Sequence, residues 1–208
     1  MKARRLHAEV FQIPLVTFTD ARSPKDGFAD RRGLLFVGGF RHSPNVDAVL
    51  WFVREIFPDL RARLPDVTLT LVGSHAPEVI TAIQEPGVVQ RGYVSDEELH
   101  ALYESVRLTV APLRYGGGVK GKVIESWQQG VPCVTTSVGV QGLPDLPDQL
   151  PVADDVPTFQ DWIYQLYTDE ALWQSVSRAS YGYVQQYFTQ ECLVAPFQNR
   201  QTTHRGAA

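Results

Sequence analysis

The chain has 208 residues, 44% of them hydrophobic and 20% charged, with a formal net charge of −4 and a pI near 5.7. That composition suits a globular protein, gives no basic footprint for nucleic acid, and contains no apolar run near the roughly 20 residues of a membrane span. Two cysteines, Cys133 and Cys192, fit neither a disulfide framework nor zinc spacing.

A reducing, cytoplasmic setting is expected, with the protein free or peripheral to a membrane. The start, Met1 to Glu9, is positive but lacks the apolar core of a signal peptide. Residues 1–32 are irregular, broken by Pro14, Pro24 and Gly27. Leu34-Leu35-Phe36-Val37 then predicts a buried strand ending at Gly38-Gly39. Asn45 is placed as the cap of a helix whose apolar face runs from Val46 to Leu64. Val67 to Val72 predicts a strand closed by Gly73, and a short helix follows over about 77–84. Val88-Val89-Gln90 predicts another strand, turning at Arg91-Gly92-Tyr93.

Ser95 and Glu98 have capping-box spacing and open a helix to about Val106. Strand 108–111, a glycine-lysine loop, a helix over 122–129 and a strand over 131–136 come next, with Cys133 as a small core residue. After Gly142 four prolines thin the pattern, and two helices close the chain over about 158–167 and 169–188. The last carries an aromatic stripe, Trp173, Tyr183, Tyr187 and Phe188, suited to core packing or to an exposed docking face.

Alternating strands and helices with continuously apolar strands predict an α/β fold, a mostly parallel sheet with helices on both faces. Ligands of such sheets bind beyond the carboxyl ends of the strands, where chain order reverses. Gly38, Gly73, Gly92 and Gly116 all follow predicted strands and so gather on that edge.

The loop Arg114-Tyr115-Gly116-Gly117-Gly118-Val119-Lys120-Gly121-Lys122 hands a strand to a helix. A helix start carries unpaired N–H groups and partial positive charge, so two lysines there are unfavourable unless an anion sits on the same groups. Phosphate or diphosphate is the commonest such anion. A plain glycine turn with solvated lysines is the other reading of the same residues. A P-loop is excluded, because Val123 stands where that motif needs a Ser or Thr hydroxyl for Mg²⁺; a nucleotide hydrolase of that kind is correspondingly disfavoured.

With these residues assembled, the chain resembles the C-terminal, nucleotide-binding half of a GT-B glycosyltransferase of the group 1 retaining superfamily. The resemblance rests on residues 35–48, Leu71-Val72-Gly73-Ser74, Gly92-Tyr93-Val94-Ser95-Asp96, Val110 through Lys122 with Glu125, residues 130–136 and Gly139-Val140-Gln141-Gly142-Leu143. It covers roughly residues 33–190 and implies a Rossmann-like domain over 33–155, C-terminal helices over 156–190 and a tail from 191. Residues 1–32 would be a linker or the remnant of a missing N-terminal domain, through which an acceptor would be bound.

The resemblance implies that Gly39, Gly117, Gly118, Val119, Lys120 and Lys122 hold the donor diphosphate, with Lys120 and Lys122 the catalytic pair. Gly92, Tyr93, Val94 and Glu125 would hold the nucleoside, Glu125 on the ribose. The donor substrate would be a nucleoside-diphosphate sugar, with no metal and no further cofactor. On the residues alone, Glu125 could instead pair with Lys122, and Tyr93 could be a half-buried strand-end aromatic.

Two departures from the family pattern are visible. Gly117 stands where many relatives place a glutamate that touches the donor sugar, and Gly39 and Pro44 stand where many carry Arg and Lys. A non-catalytic nucleotide-sugar-binding or regulatory module is the alternative function.

Overall fold

The structure is a computed structural model that describes residues 27–192. The predicted N-terminal linker up to residue 26 and the tail from 193 lie outside the described residues.

Five parallel strands form one sheet: β1 (Leu34–Val37), β2 (Leu69–Val72), β3 (Val88–Gly92), β4 (Leu108–Ala111) and β5 (Cys133–Thr135), in the order β3-β2-β1-β4-β5. Leu34 stands beside Leu69 on one side and Leu108 on the other. A single parallel bridge from Thr135 to Val152 extends the sheet beyond β5. Strands walled on both faces need apolar side chains throughout. All four residues of β4 are buried, as are the first three of β1. The apolar run at Val88-Val89 does not have this cause: β3 is the sheet edge, and four of its five residues are exposed.

Alternate strand residues serve opposite faces. Leu34 and Phe36 join the larger core with Val49, Ile56, Trp127 and Trp173, while Leu35 joins a smaller one with Val94, Tyr103 and Val106. The helices are α1 (Ser43–Trp51), α2 (Phe57–Arg63), α3 (Glu78–Thr81), α4 (Asp96–Ser105), α5 (Gly121–Gln128), α6 (Val156–Thr168) and α7 (Glu170–Tyr187). The expected α/β architecture with both faces covered is therefore present.

The long helix expected between β1 and β2 is interrupted by a π-helical turn over Phe52–Ile56. Pro58, near the start of α2, lacks an N–H and its ring crowds the Arg54 carbonyl, so the chain opens a wider turn before it. The capping box forms as predicted: Glu98 N–H donates to Ser95 Oγ at 3.2 Å, and Ser95 N–H to Glu98 Oε2 at 2.9 Å. The stripe on α7 is core. Trp173, Tyr183 and Phe188 are all buried, and Tyr183 meets Trp127 of α5 edge to face at 5.6 Å.

At the edge opposite the strand ends, buried arginines cap helices. Arg31 Nη1 donates to the carbonyls of Tyr103 and Val106, and Arg107 Nη1 to that of Tyr167 at 2.6 Å. Terminal helix carbonyls need such donors.

Candidate functional site

The chain runs outward from β1 through β2 to β3, then returns to β4 and continues to β5. Chain order thus reverses between β1 and β4, and a ligand crevice belongs beyond their carboxyl ends. Two helices begin there, α1 after β1 and α5 after β4. Helices α4, α6 and α7 are each capped by a side chain, Ser95, Asp155 or Asp169, whereas α1 and α5 have no side-chain cap. The first-turn N–H groups of α5 therefore lack a side-chain acceptor, and its first turn holds no acid.

The glycine loop keeps this opening clear. Gly116 and Gly118 adopt φ of 124° and 76°, a region that other residues enter at a cost. A β-carbon at Gly39, Gly117 or Gly118 would meet nothing within 4 Å, so the backbone is open to a ligand. Lys120 folds over the loop, its Nζ 3.2 Å from the Gly116 carbonyl and also on that of Gly118. Val119 is half-buried beside Gly142.

Lys122 sits deeper. Its Nζ donates to Asn45 Oδ1 at 2.5 Å and lies 4.4 Å from the centre of the Phe36 ring. Asn45 Nδ2 in turn donates to the Gly39 carbonyl at 2.7 Å. A β-carbon at Gly38 would stand 2.6 Å from Lys122 Nζ, so only glycine leaves room for this arrangement. Burial lowers the Lys122 ammonium from 10.5 to about 8, with Lys120 adding to the fall and Cys133 opposing it. Lys120 is lowered too, by partial burial. A second tie joins the loop to α1: Arg114 Nε donates to Asp47 Oδ2 at 2.9 Å while its guanidinium lies over Trp51.

Glu125 and Lys122 are one turn apart but do not pair, so the surface ion pair is not formed. Glu125 lies near Tyr103 of α4, and burial pushes its carboxyl up, the Tyr103 hydroxyl opposing and Asp96 adding. Tyr103 is raised well above its ordinary value by burial, with the Glu125 charge adding. Its buried hydroxyl has no partner within hydrogen-bonding geometry, so the coupling to Glu125 is electrostatic rather than a formed bond. Tyr103, Thr109, Lys122 and Cys133 line a small cavity of about 10 Å³. Cys133 is a buried core residue as expected, its thiol pushed by burial to about 12.

The structure thus brings Gly39, Gly117, Gly118, Val119, Lys120 and Lys122 to one opening, with Glu125 a turn farther along α5. Gly92 ends β3, two strands from β1, Tyr93 follows it, and Val94 shares the smaller core with Tyr103. Tyr93 is 79% exposed, which removes its reading as a half-buried strand-end aromatic. Val123, at the position that excluded a P-loop, is fully buried. Asn45, expected as a helix cap, is instead a residue of the site inside the helix. The helix starts earlier, at Ser43, with His42 before it and Pro44 in its first turn. A Ser-Pro pair favoured for the first turn was the signal that would have placed Asn45 inside the helix.

The sequence profile described as "Glycosyl transferases group 1" matches residues 31–169. The chain belongs to the group 1 glycosyl transferases. Among curated relatives of this group 1 chain, an uncharacterized 44.6 kDa protein in the cps region of Klebsiella pneumoniae is 23% identical over 163 residues, covering 74% of this chain and 42% of the relative. The chain therefore spans less than half the length of that relative.

Two solved structures share the fold. A TarM structure from S. aureus, in complex with UDP and alpha-GlcNAc-glycerol among others, has a TM-score of 0.70 at 17% identity, over 92% of this chain and 40% of TarM. The C-terminal domain of the group 1 protein LpcC from Francisella tularensis has a TM-score of 0.62 at 14% identity, over 77% of this chain and 89% of that domain. The sheet and helices match a GT-B C-terminal half.

Proposed function

We propose that this chain is the donor-binding half of a metal-independent, retaining glycosyl transferase that takes a nucleoside-diphosphate sugar. The observation that carries this is Lys122, an ammonium held at the reversal of strand order with an amide and an aromatic face for neighbours and, among the described residues, no carboxylate partner. An unneutralised charge beside uncapped helix N–H groups suits an anionic ligand.

The diphosphate would lie on the first turn of α5 and the open backbone of Gly39, Gly117, Gly118 and Val119. As the bond from the sugar's anomeric carbon to the diphosphate breaks, its electron pair leaves with the diphosphate oxygen. Lys120 and Lys122 would stabilise that growing charge, a preorganised effect that needs no reorganisation at the moment of reaction. Glu125 would accept from the ribose hydroxyls, and Gly92, Tyr93 and Val94 would border the base. The acceptor would come from an N-terminal half, in keeping with the 42% coverage of the Klebsiella relative. A cytoplasmic setting goes with this function, and no helix among the described residues is long and apolar enough to cross a membrane.

Calorimetric titration with UDP, GDP, dTDP and ATP, without metal, tests the proposal. One nucleoside diphosphate should bind selectively, and Lys120→Ala/Lys122→Ala should abolish that binding. Equal binding by the double variant would reject it. The isolated chain should bind the diphosphate yet show little transfer, and robust turnover by it with any acceptor would contradict the half-unit claim. The alternative is a non-catalytic nucleotide-sugar-binding or regulatory module whose partner would cover the face left by the N-terminal half; three aromatics of the C-terminal stripe, Trp173, Tyr183 and Phe188, are buried and would not form that interface.

A further inference from the structure

The geometry points to Asn45 as a positioning residue: it fixes the Lys122 ammonium at the opening and leaves its charge free for a bound diphosphate. This rests on the donor-site proposal above.

The arrangement is built from three contacts that depend on one another. Asn45 is 8% exposed, and its amide is orientated without ambiguity, because Oδ1 must accept from Lys122 while Nδ2 donates to the Gly39 carbonyl. Gly38 has no side chain to intrude between them. The ammonium is therefore held by a neutral acceptor on α1 and a ring face on β1, both across the crevice from its own helix.

An aspartate at 45 has almost the same shape. It would hold the lysine more tightly, and it would also neutralise the charge and compete with an anionic ligand. Asparagine positions without neutralising. The amide also links the backbone after β1 to α5, so the two walls of the opening are joined through Lys122.

The other titratable groups around the ammonium are Lys120 in the loop, Cys133 on β5 and Tyr103 on α4, with Glu125 one turn along the same helix. None of these is a carboxylate paired with it. Substitution of Asn45 by aspartate therefore introduces a charge in direct contact while keeping the side-chain shape.

The test reads Lys122 with and without ligand. The chain has four lysines, Lys2, Lys25, Lys120 and Lys122, so nitrogen-15 or carbon-13 lysine signals are assignable by single substitution. In the free protein, Asn45→Asp should raise the Lys122 titration by about one unit or more, as an adjacent opposite charge does. Asn45→Ala should lower it. With the diphosphate that binds best to wild type, Asn45→Asp should weaken binding at pH 7 by about tenfold or more and move its alkaline loss upward; a tenfold change corresponds to about 1.4 kcal/mol.

Asn45→Ala should weaken binding and move the loss downward. A Lys122 titration unchanged in both variants overturns the proposal, as does unchanged affinity with lowered melting temperature, the mark of a purely structural asparagine. If wild type binds no nucleoside diphosphate, the donor-site proposal falls, and the titration in the free protein still decides whether Asn45 sets the state of Lys122.

Discussion

Lys122 is a charge that the fold destabilises in order to keep it in place. Its ammonium is lowered from 10.5 to about 8, chiefly by burial. At 1.36 kcal/mol per unit that is of the order of 3 kcal/mol against the folded state. Below pH 8 both folded and unfolded chains hold the proton and the penalty is complete. Between pH 8 and 10.5 only the unfolded chain holds it, so folding relaxes the penalty as pH rises. Lys122→Met should therefore raise the melting temperature at pH 7 by several degrees, while losing diphosphate binding. The gap between variant and wild type should close toward pH 10.5, and a Met variant that melts lower than wild type at pH 7 would contradict this. Gly38→Ala acts on the same contact from the other side. Its β-carbon meets the flexible end of Lys122 and the Asn45 amide, so affinity for the diphosphate should fall about tenfold or more, read by calorimetry against an intact melting transition.

At the scale of elements, the helices divide by how they begin. Ser95, Asp155 and Asp169 cap α4, α6 and α7, while α1 and α5, which open on the crevice, have no side-chain cap. Removing a cap should touch stability alone: Asp169→Ala, which deletes the acceptor for Leu172 N–H, should cost about 1 kcal/mol in denaturant unfolding with ligand affinity unchanged. Trp173→Ala should cost far more, about 3–5 kcal/mol, because the ring is buried and its Nε1 donates to the Arg107 carbonyl at 2.7 Å.

The same division explains what could be seen in the sequence. Strand β1, strand β4 and the Ser95 capping box lay open to it, since apolar continuity and local side-chain chemistry determine them. The interruption before α2 is signalled only by Pro58, since the apolar spacing runs through it undisturbed. The exposure of β3 is not legible in the sequence, since edge position is a property of strand order and not of Val88-Val89-Gln90. Lys120 and Lys122 stood out as site residues by charge at a helix start. Asn45 did not, for its role comes from a residue 77 positions away.

At the scale of the whole molecule, the crevice joins two halves of one sheet, β1-β2-β3 and β4-β5. A ligand seated across them binds the native state only, so it should raise the melting temperature of the entire described domain in one step. At 100 times its dissociation constant the gain is about 2.7 kcal/mol, several degrees in a thermal scan, and a biphasic melt with one half unmoved would contradict the joint site.

The contact between Asn45 and Lys122 has a consequence in time as well as space. Neither residue can engage the other until β1 and β4 lie side by side, and pairing of such distant segments is slow. During synthesis, Asn45 emerges long before its partner exists. In refolding, uptake of a nucleoside diphosphate should therefore not precede the burial of Trp127, which shares the core with β1, and a stopped-flow experiment would compare the two. Until those strands pair, the ammonium has no acceptor on α1, so partly folded molecules should not hold the ligand.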